Sequence, residues 1–278
     1  MKYELSEFEK NGVSWPLSIN QNFNLGELEK KYFLFQEQAV KIFGKKQSLK
    51  PYLLSTFFDK ISHQDEILKN VKSIIGENIY LWSSAFFCKE PKGGKIVSYH
   101  QDNPYWQLTT DKVVTVWIAL TESNKNSGAL ELFPKSHKLG LISNLDVKNP
   151  RESYLKGEKT TKDNDLLSYK QDLNIFLKKN KPQIVELSPG EYSIHHVNTV
   201  HGSGINKSDK YRIGYALRYI SSSTKHSEEK KDRAMHIHGE KNSYFIDEKR
   251  PKSDFDENSI IEFNKSMNST GAFGNKKY

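Results

Sequence analysis

The 278-residue chain holds one cysteine, Cys88, so no disulfide framework can staple it. No apolar run approaches the length needed to cross a bilayer, and the mean hydropathy is −0.73. The opening Met1-Lys2-Tyr3-Glu4 leads into a charged segment rather than an apolar signal region. These absences lead us to expect a cytoplasmic protein with no membrane partner. A basic stripe interleaved with aromatics is also missing, although the net charge is +8 from 42 basic and 34 acidic residues. The lysines are dispersed or gathered in loops such as 156–181 and 225–231, which reads as a solvated surface before it reads as a nucleic-acid site. An attraction for small anions is compatible with that charge.

Short β-forming runs occupy the middle and second half. Val113 to Leu120 and Ala129 to Phe133 flank a turn at Asn124 to Gly128, and this pattern predicts a hairpin. Gln183 to Leu187, a Ser188-Pro189-Gly190 turn, Glu191 to His196 and Arg212 to Ile220 predict further strands. Many short strands with few helical runs between them predict an antiparallel jelly roll, a double sheet enclosing a cavity. Leu5 to Lys10, Leu25 to Ile42 and Asp65 to Ile75 carry apolar residues at helical spacing, so helices packed outside the sheet are expected over about residues 1–76. Strands in both halves favour a single domain over 1–278. Leu141 to Lys181 is long and polar, and is expected to be an active-site lid or an insertion.

The histidines carry the chemistry. His100-Gln101-Asp102 puts an imidazole and a carboxylate two residues apart, on one side of a strand end with Gln101 pointing away, and His201 follows about a hundred residues later. Two neutral imidazoles and a carboxylate suit a divalent first-row metal held on one triangular face, the arrangement of non-haem Fe(II) oxygenases. The tripeptide alone is weak evidence, because the chain holds four His-x-Asp/Glu motifs. His63-Gln64-Asp65 follows Ser62, which with Asp65 predicts a capping box opening a helix. His226-Ser227-Glu228 lies in a polar run expected to be a solvated loop, and His238-Gly239-Glu240 beside a glycine near the tail. His236 and His238 have chelating spacing but no third partner nearby, so a surface or packing role is expected. Of the adjacent His195 and His196, at most one can face the site.

From Phe86 through Ile220 the chain resembles the phytanoyl-CoA dioxygenase family of Fe(II)- and 2-oxoglutarate-dependent oxygenases. The resemblance rests on Tyr99-His100-Gln101-Asp102, Thr115-Val116-Trp117-Ile118-Ala119-Leu120-Thr121, Asn126-Ser127-Gly128-Ala129-Leu130, Pro134-Lys135-Ser136-His137-Lys138, and His201-Gly202-Ser203-Gly204-Ile205-Asn206-Lys207-Ser208 followed by Arg212. It implies a double-stranded β-helix, iron held by His100, Asp102 and His201, and Arg212 pairing the far carboxylate of 2-oxoglutarate. A planar guanidinium fork matches that carboxylate.

Ser203 adds a hydroxyl donor to that implied pocket, and Lys89 and Trp117 resemble co-substrate contacts of family members. Trp117 serves equally well as a core aromatic, and Lys89 as a solvated surface lysine. Tyr99, Asn103, Tyr105, Trp106, His196 and Asn198 flank the ligands and are candidates to face substrate. No catalytic residue is expected beyond the metal site. Lys135 departs from the family, which commonly has glycine in that turn. Asp232-Arg233-Ala234-Met235 and Gly239 through Pro251 are similar to the bacterial small-metabolite branch that contains ectoine and phosphonate hydroxylases. Since halogenating relatives replace the carboxylate ligand with a small residue, Asp102 implies hydroxylation.

Three functional readings stand side by side. The first is an iron and 2-oxoglutarate dioxygenase acting on a small anionic or zwitterionic metabolite such as an aminoalkylphosphonate or amino-acid derivative. The second is a non-catalytic jelly-roll binding or regulatory protein, and the third a nucleic-acid-directed oxygenase suggested only by the pI of about 9.2. The ligand set and Arg212 favour the first.

Overall fold

The structure, a computed structural model, describes residues 2–19, 24–148, 153, 156–225 and 231–268. Helix α1 (Lys2–Asn11) leads into strand β1 (Val13–Ser18), then α2 (Leu28–Phe43), α3 (Thr56–Ser62) and α4 (Asp65–Ile75). The strands that follow are β2 (Ile79–Lys89), β3 (Val97–His100), β4 (Val113–Ala119) and β5 (Leu130–Leu132), with the short helix α5 (Asn103–Trp106) after β3. Helix α6 (Asn174–Lys179) precedes β6 (Gln183–Val185), β7 (Glu191–His196), β8 (His201–Ser203), β9 (Arg212–Ser221), β10 (Asp232–His238), β11 (Phe245–Asp247) and a final helix α7 (Glu257–Met267). His226 and Glu228 lie outside the described residues.

The strands form two sheets, a seven-stranded one in the order β1-β7-β4-β9-β2-β10-β11 and a four-stranded one in the order β3-β8-β5-β6. This is the double-sheet jelly roll that the short strands predict. One expected element is different: β4 and β5 are not a hairpin, because β4 pairs with β7 and β9 in the large sheet while β5 pairs with β6 and β8 in the small one. The Asn124–Gly128 turn therefore carries the chain from one sheet to the other. The Ser188-Pro189-Gly190 turn does the same between β6 and β7.

The large sheet is buried on both faces, which explains why β2, Ile-Tyr-Leu-Trp-Ser-Ser-Ala-Phe-Phe-Cys-Lys, shows no clean alternation in sequence. Its outer face packs on the helices. Val114, Val116 and Ile118 of β4 and Tyr215, Leu217 and Tyr219 of β9 share a core with Ile67, Val71 and Ile75 of α4 and Leu28, Tyr32, Phe35 and Ala39 of α2. The four-residue spacing on α4 and the mixed three- and four-residue spacing on α2 keep these side chains on one helical face. The inner face carries the alternate residues, and there Trp117, Ala119 and Ala216 meet Leu130, Leu132 and Val185 of the small sheet.

One local expectation is corrected. Ser62 does not cap α4; it ends α3 with its hydroxyl donating to Asp59 O at 2.7 Å, and the residue preceding α4 is Gln64. A three-residue offset was enough to suggest a cap, but the preceding helix claims the serine first. Lys135, in the place where glycine is usual, keeps the left-handed backbone of that turn at φ +71°, a conformation costing an L-residue about 1–2 kcal/mol.

A close approach fixes the inner face near the start of β9. A Cβ built on Gly214 falls 2.0 Å from Trp117 Cζ2, so the indole lies directly on the glycine backbone. Gly214→Ala is expected to cost about 1–3 kcal/mol by overpacking and to displace Trp117, read as a lower urea midpoint with altered tryptophan fluorescence; an unchanged midpoint would contradict this packing.

Candidate metal centre

His100 and His201 are direct cross-strand partners on β3 and β8. Their rings sit 4.2 Å apart between centroids, and both residues are buried. The Nδ1 of His100 lies 2.9 Å from Ser98 O, and the Nδ1 of His201 lies 2.9 Å from Thr199 O. A carbonyl only accepts, so in both rings the proton sits on Nδ1 and the Nε2 lone pair is left facing the partner residues. Asp102 does not come from the strand as the i, i+2 spacing suggested. The strand ends at His100, and Asp102 has a helical backbone, φ −71° and ψ −39°, just before α5. Its amide donates to Val197 O at 3.1 Å and its Oδ2 accepts from Thr115 Oγ1 at 3.4 Å.

The Asp102 Oδ1 atom is 3.4 Å from His100 Nε2 and 3.9 Å from His201 Nε2. One donor atom from each of the three residues lies within 4.8 Å of the others. Burial raises the Asp102 carboxyl, but His201, His100 and Arg218 outweigh it and hold the group below the usual carboxylate range. Burial and then His100 push His201 down to about 4, so its imidazole is neutral at pH 7. Two imidazoles oriented by their Nδ1 bonds and one ionised carboxylate are a donor set that could hold a divalent first-row metal on one face. Among the described residues no other group of three histidine, cysteine or acidic side chains has this geometry. His236 and His238 instead bond Gly239 O and Glu77 O at the surface.

Beyond the triad lies a second cluster. Lys89 and Arg212 face each other at the paired ends of β2 and β9, and both are almost fully buried. Lys89 is thus no surface lysine. Its Nζ donates to Ser203 Oγ at 2.8 Å and to Gly204 O, while the Arg212 guanidinium lies 5.4 Å from the Trp117 ring centroid. Trp117 is both a core aromatic and a contact of that arginine. Among the described residues neither cation forms an ion pair, and Arg212 Nε has no hydrogen-bond partner. Burial and then Arg212 push Lys89 down to about 7, and burial lowers Arg212 to about 10. The pocket could receive a carboxylate.

The flanking candidates divide. Tyr105 sets its ring edge-on to His100 at 5.5 Å and its hydroxyl donates to Tyr169 O at 2.5 Å. Trp106 packs on Trp82 at 5.6 Å and on the Arg218 guanidinium at 5.2 Å. Among the described residues, Asn103 and Asn198 each keep a buried Oδ1 without a partner. Tyr99 is not brought to the triad: it bonds Glu131 and packs on Phe133, outside the small sheet. His196 also points away, toward Asp111 and His137, whereas His195 stacks 4.6 Å from His201.

Gln101 does turn away from the triad, but it is no idle residue. Its Nε2 donates to Gly140 O and Asn198 O, its Oε1 accepts from Ile142 N and Gln171 Nε2, and its own amide donates to Gln171 Oε1, all at 2.7–3.0 Å. It ties the strand carrying His100 to the 140–171 segment. Sequence reasoning also passed over Thr115 and Arg218, although inward parity with Trp117 on β4 and with Arg212 on β9 was available for each.

A family profile described as phytanoyl-CoA dioxygenase matches residues 24–214. The chain is 28% identical over 170 residues to a probable alpha-ketoglutarate-dependent hypophosphite dioxygenase of Stutzerimonas stutzeri, covering 60% of this chain and 55% of that protein. It is 29% identical over 162 residues to the peroxisomal phytanoyl-CoA dioxygenase of Homo sapiens, covering 56% of this chain and 44% of that protein. The chain thus spans about half the length of these relatives. Among solved structures, the apo form of a non-heme monooxygenase, ThoJ, superposes with a TM-score of 0.76 at 24% identity over 95% of both chains. CytC3 with Fe(II) and alpha-ketoglutarate superposes with a TM-score of 0.54 at 22% identity, over 81% of this chain and 78% of that one. These likenesses show a shared fold.

Replacing Gln101 with alanine removes every side-chain bond it makes, taking the acceptor from Ile142 N and one of the two acceptors from Gln171 Nε2. We expect a loss of about 2–4 kcal/mol, with faster amide hydrogen exchange at residues 140–146 and 171–173 and unchanged protection in β4 and β9. Equal acceleration everywhere would contradict a local tie.

Proposed function

Because the chain belongs to the phytanoyl-CoA dioxygenase family, we propose that it is an Fe(II)- and 2-oxoglutarate-dependent dioxygenase that hydroxylates a small polar metabolite, anionic or zwitterionic. In this reading His100, Asp102 and His201 hold the iron, and Arg212, Lys89 and Ser203 receive the far carboxylate of the keto acid beside Trp117. Iron and keto acid, once bound, supply oxygen activation, dividing dioxygen between succinate and the hydroxylated product. Retention of the Asp102 carboxylate supports hydroxylation. The observation that carries the reading is the buried triad with both Nε2 atoms preset, next to a buried pair of cations with no acidic partner among the described residues.

The protein's own share is binding, orientation and exclusion of water. Arg212 offers a planar fork to the carboxylate while Trp117 holds the guanidinium plane. Lys89 adds charge and Ser203 a hydroxyl. Leu130 and Leu132 of the small sheet pack against Trp117 of the large sheet, and Tyr105 joins the triad to the 141–181 segment through Tyr169. That segment serves as a lid in this reading, and residues 1–278 as one oxygenase domain. An anionic substrate is supported by the excess of basic residues and by the name of the Stutzerimonas relative, which specifies a small phosphorus oxyanion.

Anaerobic titration with Fe(II) and then 2-oxoglutarate should give one site for each, and oxygen should then release succinate. His100→Ala or Asp102→Ala is expected to reduce that release at least a hundredfold, on the order of the 2.7 kcal/mol or more that losing a metal ligand costs the bound state. Release that survives both substitutions would refute the assignment of the triad.

Lys89 gives a pH test. Its pKa in the folded chain, about 7, lies below the ordinary 10.5, so the unfolded chain binds more protons between those values and this group's contribution to stability rises with pH across that window. At pH 8 it is largely neutral until a carboxylate arrives. Keto-acid binding at pH 8 should therefore take up about one proton, measured by calorimetry in buffers of different ionisation enthalpy, and Lys89→Met should abolish the uptake. Binding without proton uptake in the unsubstituted protein would remove Lys89 from the carboxylate pocket.

A further inference from the structure

The inner face of β9 carries two arginines six residues apart, Arg212 and Arg218. On a strand rising about 3.3 Å per residue their backbones stand about 20 Å from each other. Arg212 pairs with Lys89, whereas Arg218 pairs with Ser83 and Thr115, so the two side chains enter the cavity at different levels. Arg218 is 6% exposed, and its guanidinium lies 5.2 Å from the Trp106 ring centroid and 5.9 Å from that of Phe87. Two aromatic rings thus fix the plane of a buried fork of donors.

The sheet register gives Arg218 its neighbours. It pairs with Ser83 on β2 and with Thr115 on β4, and Thr115 pairs in turn with His195 on β7. Ser83, Arg218, Thr115 and His195 therefore form one transverse row on the inner face, level with the triad. Thr115 bonds Asp102 at 3.4 Å, and the His195 ring lies 4.6 Å from that of His201. Ser193 stands one row further along.

Among the described residues, both ring nitrogens of His195 and the hydroxyls of Ser83 and Ser193 are buried without a hydrogen-bond partner. His195 is only 1% exposed. Groups of this kind cost stability unless something completes them, and an apolar side chain would fill the same space at less cost. The row is rich in donors. Its nearest acid, Asp102, faces the metal ligands, so nothing in it matches an ammonium group.

Building on the iron and 2-oxoglutarate reading, we infer that Arg218 and His195 anchor the substrate: the guanidinium pairs with an oxyanion, and the imidazole hydrogen-bonds another polar atom of the same molecule. The anchored group lies level with the metal face, so the reacting bond is held within a few atoms of the oxyanion. Arg212 and Arg218 then divide the cavity, one end for the keto acid and the other for substrate.

The test uses protein loaded with Fe(II) and 2-oxoglutarate without oxygen, so binding is read apart from turnover. Propionate, methylphosphonate and methylammonium serve as probes in calorimetry. At least one of the two anions should bind while methylammonium does not, and the stronger of the two distinguishes a carboxylate from a phosphorus oxyanion. Arg218→Gln should weaken that anion at least tenfold, with 2-oxoglutarate affinity within twofold of the unsubstituted protein, and Arg218→Lys should recover part of the loss. His195→Phe should weaken it three- to tenfold, and His195→Gln should restore it. Anion binding unaffected in Arg218→Gln, or in Arg218→Lys if the glutamine variant does not fold, overturns the inference. So does an equal loss of 2-oxoglutarate affinity, or the absence of anion binding in protein that loads both iron and keto acid. Failure to load them would instead count against the iron and 2-oxoglutarate reading itself.

Discussion

The site depends on the antiparallel pairing of β3 with β8. Backbone hydrogen bonds set the register that places His100 opposite His201, and each ring is then turned by a bond from its Nδ1 to a carbonyl two residues earlier in the chain. The sheet thereby fixes position, orientation and tautomer together. A shift of one residue would send one imidazole to the opposite face. The third donor needs a different device, because a strand continued through Asp102 would not bring its carboxylate to the same point. The turn into α5 supplies it, held by Val197 O and Thr115.

Around that pairing the large sheet separates two kinds of interior. Its outer face carries Val, Ile, Leu and Tyr onto the helices, which covers the sheet and keeps it rigid. Its inner face carries Thr115, Ser193, His195, Arg212 and Arg218 among small and aromatic residues. Buried cations are expensive unless packing and ligands compensate. These polar and charged groups are concentrated on the inner face, interleaved there with Trp117, Ala119 and Ala216.

The 140–171 segment is attached to the centre through backbone and amide groups. Gln101 stands between His100 and Asp102, its side chain directed away from them and bonded to Gly140, Ile142 and Gln171. Tyr105 makes a parallel link to Tyr169. Any displacement of that segment acts on the residues that aim the triad.

Residue types and patterning pointed to the jelly-roll class and to His100, Asp102 and His201 as a donor set, because donor chemistry and β-forming runs are local properties, while Arg212 was singled out through the family resemblance. The sequence misled where partners are distant. A hydrophobic run separated from another by a turn looks alike whether the two pair or cross between sheets, so β4 and β5 passed for a hairpin. Tyr99 and His196, chosen for their nearness in sequence to the ligands, point away because neighbours on a strand alternate faces. Arg218 and Thr115 acquire meaning only through cross-strand register, and Gln101 through a segment forty to seventy residues distant. What the chain wrote locally was which atoms can bind; which of them meet was decided by long-range backbone pairing, since it alone sets the face and level at which each side chain enters the cavity.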